Sequence, residues 1–367
     1  VIFMKNNRYI YVTAPTQTTT TMQKRFLKPL LTLVLLLMIG SNARTQDIHF
    51  SQFFETPLVR NPALAGIFSG DIRVQAVYRN QWNSVTVPYK TGSFNAEYKK
   101  PVGRGDDFLT IGGQVLYDKA GTVALQSTHI LPALNYHKSL SAEKNSYLSL
   151  GFMGGWVQRS IDRSKITSNS QFDPVTGFDP NAFNGETFPS SSYSYFDGSV
   201  GMSFNTQVGD NADNNIYLGA AYHHFNKASK LSFYGIPKYE MIPKWVGSFG
   251  LRMNMNETSY FTFYGDYSKQ GTYTEPMAGP LYSWKLDDFD DPRYILHGGA
   301  LLRWKDAIIP VVKLEFKPIA VSVSYDANIS QLKSASRGRG GFELALTYQK
   351  YLDRDNSSTD AVRCPKF

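Results

Sequence analysis

Cysteine is almost missing from these 367 residues: Cys364 stands alone, so no internal disulfide and no Cys-based zinc site can be built. Charge is thin as well, at 19% Asp, Glu, Lys and Arg against about 25% in an average soluble domain. No apolar run reaches the roughly 20 residues that a membrane-crossing helix requires. The longest, Leu30 to Ile39, is about half of that, and mean hydropathy is −0.30. A helical membrane protein is thereby excluded. Gly-x-Ser-x-Gly, a Walker loop and His-Glu-x-x-His are all missing, which leaves no nucleophile or metal motif to argue from. The chain reads as non-enzymatic and without a cofactor. The formal charge of +8 invites a nucleic-acid reading, but residues 1–45 hold six basic residues (Lys5, Arg8, Lys24, Arg25, Lys28, Arg44) and no acid. They carry +6 of that excess and leave +2 for the rest. No basic stripe with stacking aromatics remains, so nucleic acid is not an expected partner.

Aromatic side chains are abundant instead: 23 Tyr, 24 Phe and 5 Trp make up 14% of the chain. From Met22 the sequence runs through Lys24, Arg25 and Lys28, then the apolar stretch, then Gly40-Ser41-Asn42-Ala43. Basic, apolar and small-residue regions in that order predict a secretory signal peptide over 22–43. Residues 1–21, with their Thr18 to Thr21 tract, read as an overextended start.

Beyond the leader, segments of about ten residues alternate apolar with small or polar side chains and are punctuated by Gly, Pro, Asn and Asp. In 319–326, Ile319, Val321, Val323 and Tyr325 alternate with Ala320, Ser322, Ser324 and Asp326. In 340–350, Phe342, Leu344, Leu346 and Tyr348 alternate with Glu343, Ala345, Thr347 and Gln349. Side chains on a strand face opposite ways at each step, so every such segment has one apolar and one polar face. Fourteen candidates follow: 72–83, 89–99, 108–118, 128–139, 145–158, 194–206, 215–225, 244–255, 259–270, 274–286, 293–304, 308–316, 319–326 and 340–350. Pro276 and Pro280 make 274–286 the least regular of them.

Apolar alternation, aromatic richness and a leader together predict an all-β fold, a transmembrane antiparallel β-barrel of about fourteen strands over 72–350, in the outer membrane and in contact with its lipid. The even count puts both barrel ends on one side. The connections 159–193, 226–243 and 327–339 are then outer loops and both termini are periplasmic, including a tail over 351–367. An arginine replacing Leu344 should meet lipid, whereas one replacing Thr347 should meet an accommodating lumen.

The six histidines form no metal motif, and His223-His224 are expected on opposite faces of a strand. Asp173 and Asp179, each before a proline in the longest loop, and Arg337 and Arg339 in the last one are candidate partner contacts. Asp287, Asp288, Asp290 and Asp291 form an acidic turn, and the loops offer partial oxygen ligation for calcium; turn chemistry explains such residues without a metal. Residues 44–71 do not fit barrel periodicity. Their apolar, aromatic character predicts a plug folded into the lumen or an arm on the periplasmic rim, with Phe50, Phe53, Phe54, Asn61 and Pro62 as its anchors.

Several strings carry a resemblance. Gln46-Asp47-Ile48-His49-Phe50-Ser51-Gln52-Phe53, then Asn61-Pro62-Ala63 with Ala65-Gly66, then Tyr78-Arg79-Asn80-Gln81-Trp82 resemble the start of the PorP/SprF family of type IX secretion system proteins. Ser324-Tyr325-Asp326 through Gly340-Gly341-Phe342-Glu343, and the ending Cys364-Pro365-Lys366-Phe367, are similar to the same family, so that the likeness spans 46–367. It implies an outer-membrane protein of Bacteroidetes-type bacteria that works with type IX secretion and gliding components, some members serving one secreted adhesin. It implies no catalytic residues. The Asn-Pro-Ala triplet also occurs in the plug of long-chain fatty-acid channels, which supplies the alternative of a channel for a hydrophobic or small solute.

Overall fold

The computed structural model describes residues 47–82, 87–103, 106–229, 232–234, 240–288, 291–331 and 333–352. In a separate N-terminal unit, 1–45, it describes only the pairing of Met4–Lys5 with Arg8–Tyr9. The proposed signal peptide and the tail with Cys364 lie outside the described residues.

Fourteen antiparallel strands close into a barrel. They are β1 (Ile72–Gln81), β2 (Tyr89–Val102), β3 (Asp107–Ala120), β4 (Leu125–Ser141), β5 (Ser146–Ser160), β6 (Ser192–Gln207) and β7 (Asn215–His223). The second half is β8 (Lys244–Asn256), β9 (Ser259–Gln270), β10 (Tyr273–Lys285), β11 (Tyr294–Arg303), β12 (Ala307–Phe316), β13 (Ile319–Asn328) and β14 (Arg339–Lys350). Each pairs with its neighbour in sequence, and β14 closes on β1 from Gly341↔Gln81 to Lys350↔Ile72. All fourteen expected segments are present, with ends shifted by a few residues: most are longer, while those expected at 72–83, 215–225 and 293–304 end earlier or are shorter. Among the described residues no helix is long and apolar enough to cross a membrane; the crossing is made by strands.

The period-two pattern becomes an inside and an outside. Ile111, Phe152, Leu218, Val312 and Leu346 are exposed, whereas Asn95, Thr110, Asn135, His137 and Ser283 are wholly buried. Apolar side chains outside and polar ones inside is the inverse of a soluble core and suits a hydrocarbon solvent. Trp245, Tyr267 and Trp304 lie toward one end of the outer surface, and Tyr98, Tyr136 and Tyr294 toward the other.

Pro280, Pro310 and Pro132 each coincide with a local gap in one ladder. In β10 the pairing with β9 is continuous, but the pairing with β11 skips Gly279 and Pro280. Pro276 and Pro280 are four residues apart and therefore share an edge; the Pro276 carbonyl accepts from Trp304 N on the β11 side (3.0 Å). Their missing donors thus cost one ladder only. Pro310 and Pro132 interrupt the β12–β13 and β4–β5 ladders in the same way.

The longest connections, after β5, β7 and β13, all leave from one end of the barrel, and the other end carries short turns only. Ile72 and Lys350, the two barrel ends, sit together at the short-turn end. The chain before Ile72 does not stay there. It passes inside the ring of strands, so that Asp47, bonded to Gln270 at the end of β9 and to Lys244 at the start of β8, lies at the long-loop end.

That path changes one expectation about the lumen. Thr347 does face inward, but its hydroxyl donates to Glu55 of the inner segment (2.8 Å) and accepts from Gln75 (3.2 Å), in packed rather than open surroundings. Leu344→Arg is expected to cost about 2–4 kcal/mol by placing a cation in lipid. Thr347→Arg should now also destabilise, by about 1–3 kcal/mol, because it overfills a close-packed interior. Urea titration of barrel folding in liposomes measures both; a neutral Thr347→Arg would show an open lumen.

Candidate functional site

The distinctive site is the inner segment, 47–71, and its seat. Its backbone is folded by its own sequence into three short turns. Phe53–Glu55 is a 3-10 turn, and Pro57–Arg60 an α-turn with proline at its first position. Pro62–Leu64 is a second 3-10 turn capped by Asn61, whose Oδ1 accepts from Ala63 N at 2.8 Å.

Turns this short leave backbone groups unpaired, and inside a barrel no bulk water is at hand to satisfy them. The inward strand residues do so. Asn61 Nδ2 donates to the carbonyls of Met202 (3.1 Å) and Ala220 (3.2 Å). Ala63 O accepts from Asn135 Nδ2 and Ser203 Oγ, each at 2.9 Å, and Ala65 O from Asn135 at 2.7 Å. Gly66 N donates to Glu97 (2.8 Å), and the Phe68 carbonyl accepts from Lys99 Nζ (2.6 Å). Close approach demands small partners: a Cβ on Gly201 would collide with Asn61 Oδ1, and one on Gly66, at φ +81°, with Thr110 Oγ1.

Charged side chains lock the rest. Ser51 N and Gln52 N donate to the two oxygens of Glu343 (2.6 and 2.8 Å), and Ser51 Oγ donates to Asp326 (2.8 Å). Arg79 bridges those two carboxylates at 3.1 Å each and donates to the His49 carbonyl (2.6 Å); Arg303 reaches Asp326, Asp306 and Ser51. Farther along, Glu55 pairs with Lys313 (2.9 Å) and Arg60 with Asp266 (2.8 Å) and Tyr217 (3.0 Å), while Arg73 holds Glu97 (2.8 Å) beneath the Phe68 ring. Ionised groups survive such burial only when paired and bonded on most sides, as these are. Phe53 packs with Met277, Leu281, Leu301 and Ile309, Phe50 with Val77 and Leu116, and Phe54 stacks on Tyr264 at 5.0 Å.

Three separated strings of the sequence therefore meet at one place: Ser51-Gln52, Arg79, and Asp326 with Glu343. A family model described as "Type IX secretion system membrane protein PorP/SprF" matches residues 42–348. The chain belongs to that family. It is accordingly an outer-membrane β-barrel of the PorP/SprF type IX secretion family. No curated protein matches. Solved structures resemble the chain only at low similarity. The Ralstonia pickettii toluene transporter TbuX is 10% identical with a TM-score of 0.47, over 82% of this chain and 94% of that one. The translocator domain of autotransporter NalP from Neisseria meningitidis is 10% identical with a TM-score of 0.41, over 89% and 95%. A Pseudomonas aeruginosa FadL homologue is 10% identical with a TM-score of 0.43, over 79% and 92%.

Of the residues singled out in the PorP/SprF sequence, Phe50, Phe53, Asn61 and Pro62 are buried in this seat and Phe54 is half-buried. Asp173 and Asp179 are exposed and stabilise their own turns, accepting from Val175 N and Thr176 N and from Asn181 N. Arg337 follows a short helical turn, Lys333–Ser336, and Arg339 opens β14. Asp287 caps Arg293 N and Tyr294 N, and Asp291 pairs with Lys317. Among the described residues no group of three or more His, Cys, Asp or Glu is arranged to hold a metal.

The expectation for His223-His224 is corrected. The strand ends at His223, and His224 adopts φ +61°, which turns its ring inward so that both are buried, 6.3 Å apart. The clamp residues Arg79, Arg303, Asp326 and Glu343 were not singled out as a group. Their signal was a charged residue on the polar face of an otherwise apolar strand.

At the long-loop end His224 Nδ1 lies 2.9 Å from Asp197 and its Nε2 3.5 Å from Asp47; Lys244 reaches Asp47 at 3.0 Å. Burial alone would lower the His224 pKa, but the two carboxylates outweigh it and raise it to about 9. Burial would raise Asp47, yet Lys244 and His224, with His129 nearby, hold it well below the usual carboxylate range. A raised histidine contributes stability in full below its unfolded value near 6.5 and loses it as pH climbs through about 9. Asp47 contributes at neutral pH and loses its share only in acid.

Two outcomes are expected. A cysteine replacing Ile48 should react with a membrane-impermeant maleimide faster at pH 10 than at pH 7 after correction for thiol ionisation, and His224→Gln should abolish that step. Arg79→Met should cost about 3–5 kcal/mol by stranding Glu343 and leaving Asp326 with Arg303 alone as its cation, and should expose 47–70 to protease while the barrel still migrates as folded on unheated gels; unchanged protection would rule out the clamp.

Proposed function

We propose that this PorP/SprF barrel is a non-enzymatic component of the type IX secretion and gliding machinery. In this reading it supports export or surface attachment of a partner secreted, adhesin-like protein through its long loops rather than by conduction through its lumen. One observation carries it. The inner segment runs from the long-loop end to the short-turn end and is held by buried ion pairs and carbonyl contacts along its length. A lumen filled in this way is a plug, and its removal would strand several buried charges at once.

The long-loop end is read as the cell exterior, since outer-membrane barrels carry short periplasmic turns and longer outer loops. The short turns, Lys350 and the tail over 351–367 then face the periplasm, while Asp47 sits at the outer mouth. The connection after β5 folds back through a short strand pair and bears Phe172, Phe178 and Phe183 exposed beside Asp173 and Asp179. Exposed aromatics rimmed by polar groups are what a protein-docking surface presents. Arg337 and Arg339 border the same end and add cationic contacts.

Deletion of the gene, scored by comparing surface and secreted proteomes, is expected to remove one or a few type IX substrates from the cell surface and leave solute uptake intact. Secretion unchanged for every type IX substrate overturns the reading. Steady, solute-selective conductance of the purified barrel in a planar bilayer would instead favour the channel alternative.

A further inference from the structure

The outer wall over β7–β11 is not a smooth apolar cylinder. A groove of about 520 Å3 crosses it, walled by Leu218, Phe249, Leu302 and Trp304 and floored by Gly247 and Gly265. Register explains the hollow: Gly247 lies opposite Tyr267 and Gly265 opposite Phe249, so each glycine removes a side chain beside a ring. A Cβ on Gly247 would meet nothing within 4 Å. Toward the long-loop end, one outward-facing step beyond Tyr267, stands Lys269, paired with Thr274; Lys305 lies in the turn after β11, on the other flank of β10. The two stems are thus about two strand spacings, roughly 10 Å, apart. Both are exposed, and among the described residues neither has an acidic partner within ion-pair distance.

In a bilayer such a hollow is filled by the surrounding hydrocarbon, because an empty one forfeits the dispersion contacts of its whole lining. Lysines at the rim extend toward the headgroups and present ammonium donors suited to phosphate oxygens. We propose that this groove, with Lys269 and Lys305, is a binding site for a phosphorylated outer-leaflet glycolipid, one acyl chain lying over Gly247 and Gly265 and a phosphate engaging the two ammonium groups. The choice of leaflet rests on the orientation given above; the groove and the charge do not.

The test uses the full chain, folded in detergent and examined by native mass spectrometry with bisphosphorylated lipid A, dephosphorylated lipid A and phosphatidylglycerol. Bisphosphorylated lipid A is expected to bind at least tenfold tighter than either other lipid. Lys269→Gln with Lys305→Gln should erase that preference, and Gly247→Leu should weaken all three lipids by filling the groove. Unheated gel migration confirms that each variant is folded. Undiminished lipid A binding in both variants overturns the site, and equal affinity for phosphatidylglycerol overturns the glycolipid assignment. Proteome changes on gene deletion report separately on the secretion reading.

Discussion

A strand inside a bilayer must satisfy its backbone from within the protein, and a barrel does so by closing on itself. Closure commits the inward face to a space that neither lipid nor bulk water fills freely. In this chain that face is rich in ionisable groups, including Arg73, Arg79, Glu97, Lys99, Asp266, Arg303, Lys313, Asp326 and Glu343. The inner segment answers much of that constraint. It supplies acceptors in the carbonyls of His49 and Phe68, donors in the amides of Ser51, Gln52 and Gly66, and ions in Glu55 and Arg60. Barrel and segment are in this sense one interior, each unsatisfied without the other.

The Asn61-Pro62-Ala63 triplet shows how little of that recognition depends on large side chains. Proline starts the turn with its φ already set, and Asn61 caps it with one amide atom while the other grips two strand carbonyls. Alanine keeps the turn narrow enough for Asn135 and Ser203 to reach its carbonyl. Gly201 opposite leaves the room that this requires. A larger residue at any of these points would separate donors from acceptors rather than merely crowd them, which explains why such plain residues form a distinctive string.

The sequence was most legible where the solvent imposed a rule. Lipid outside and polar interior inside repeat along every strand with period two, so the strands, their facing and their even number could be read from alternation alone. Even β10 could be read, because Pro276 and Pro280 share an edge and sacrifice only one ladder. Illegible were relations between distant strands. Arg79 and Asp326 are 247 residues apart and Ser51 and Glu343 are 292 apart, and no periodicity links them. A charge on a polar face looks alike in sequence whether it faces water, an ion partner or a plug. Thr347 suffered from the same blindness: its facing was evident and its packed surroundings were not. His224 was misread because a single left-handed residue at a strand end reverses the facing that alternation assigns.

Filling the lumen also shapes what the two ends can do. If the interior is rigidly paired, free energy from contacts at the long loops is not spent on opening a path through the barrel, and remains available for holding a partner. The contacts at the mouth differ from the deeper ones in kind. Asp197, His224 and Lys244 are buried around a half-buried Asp47 at the long-loop end, and the His224 charge they share is lost as pH climbs through about 9, whereas the Arg79, Asp326 and Glu343 network is built without a histidine. Alkali thus weakens the contacts around Asp47 by discharging His224. The segment is therefore expected to loosen from the mouth inward, with the carbonyl-bound Asn61 turn and the paired Gly66 end released last.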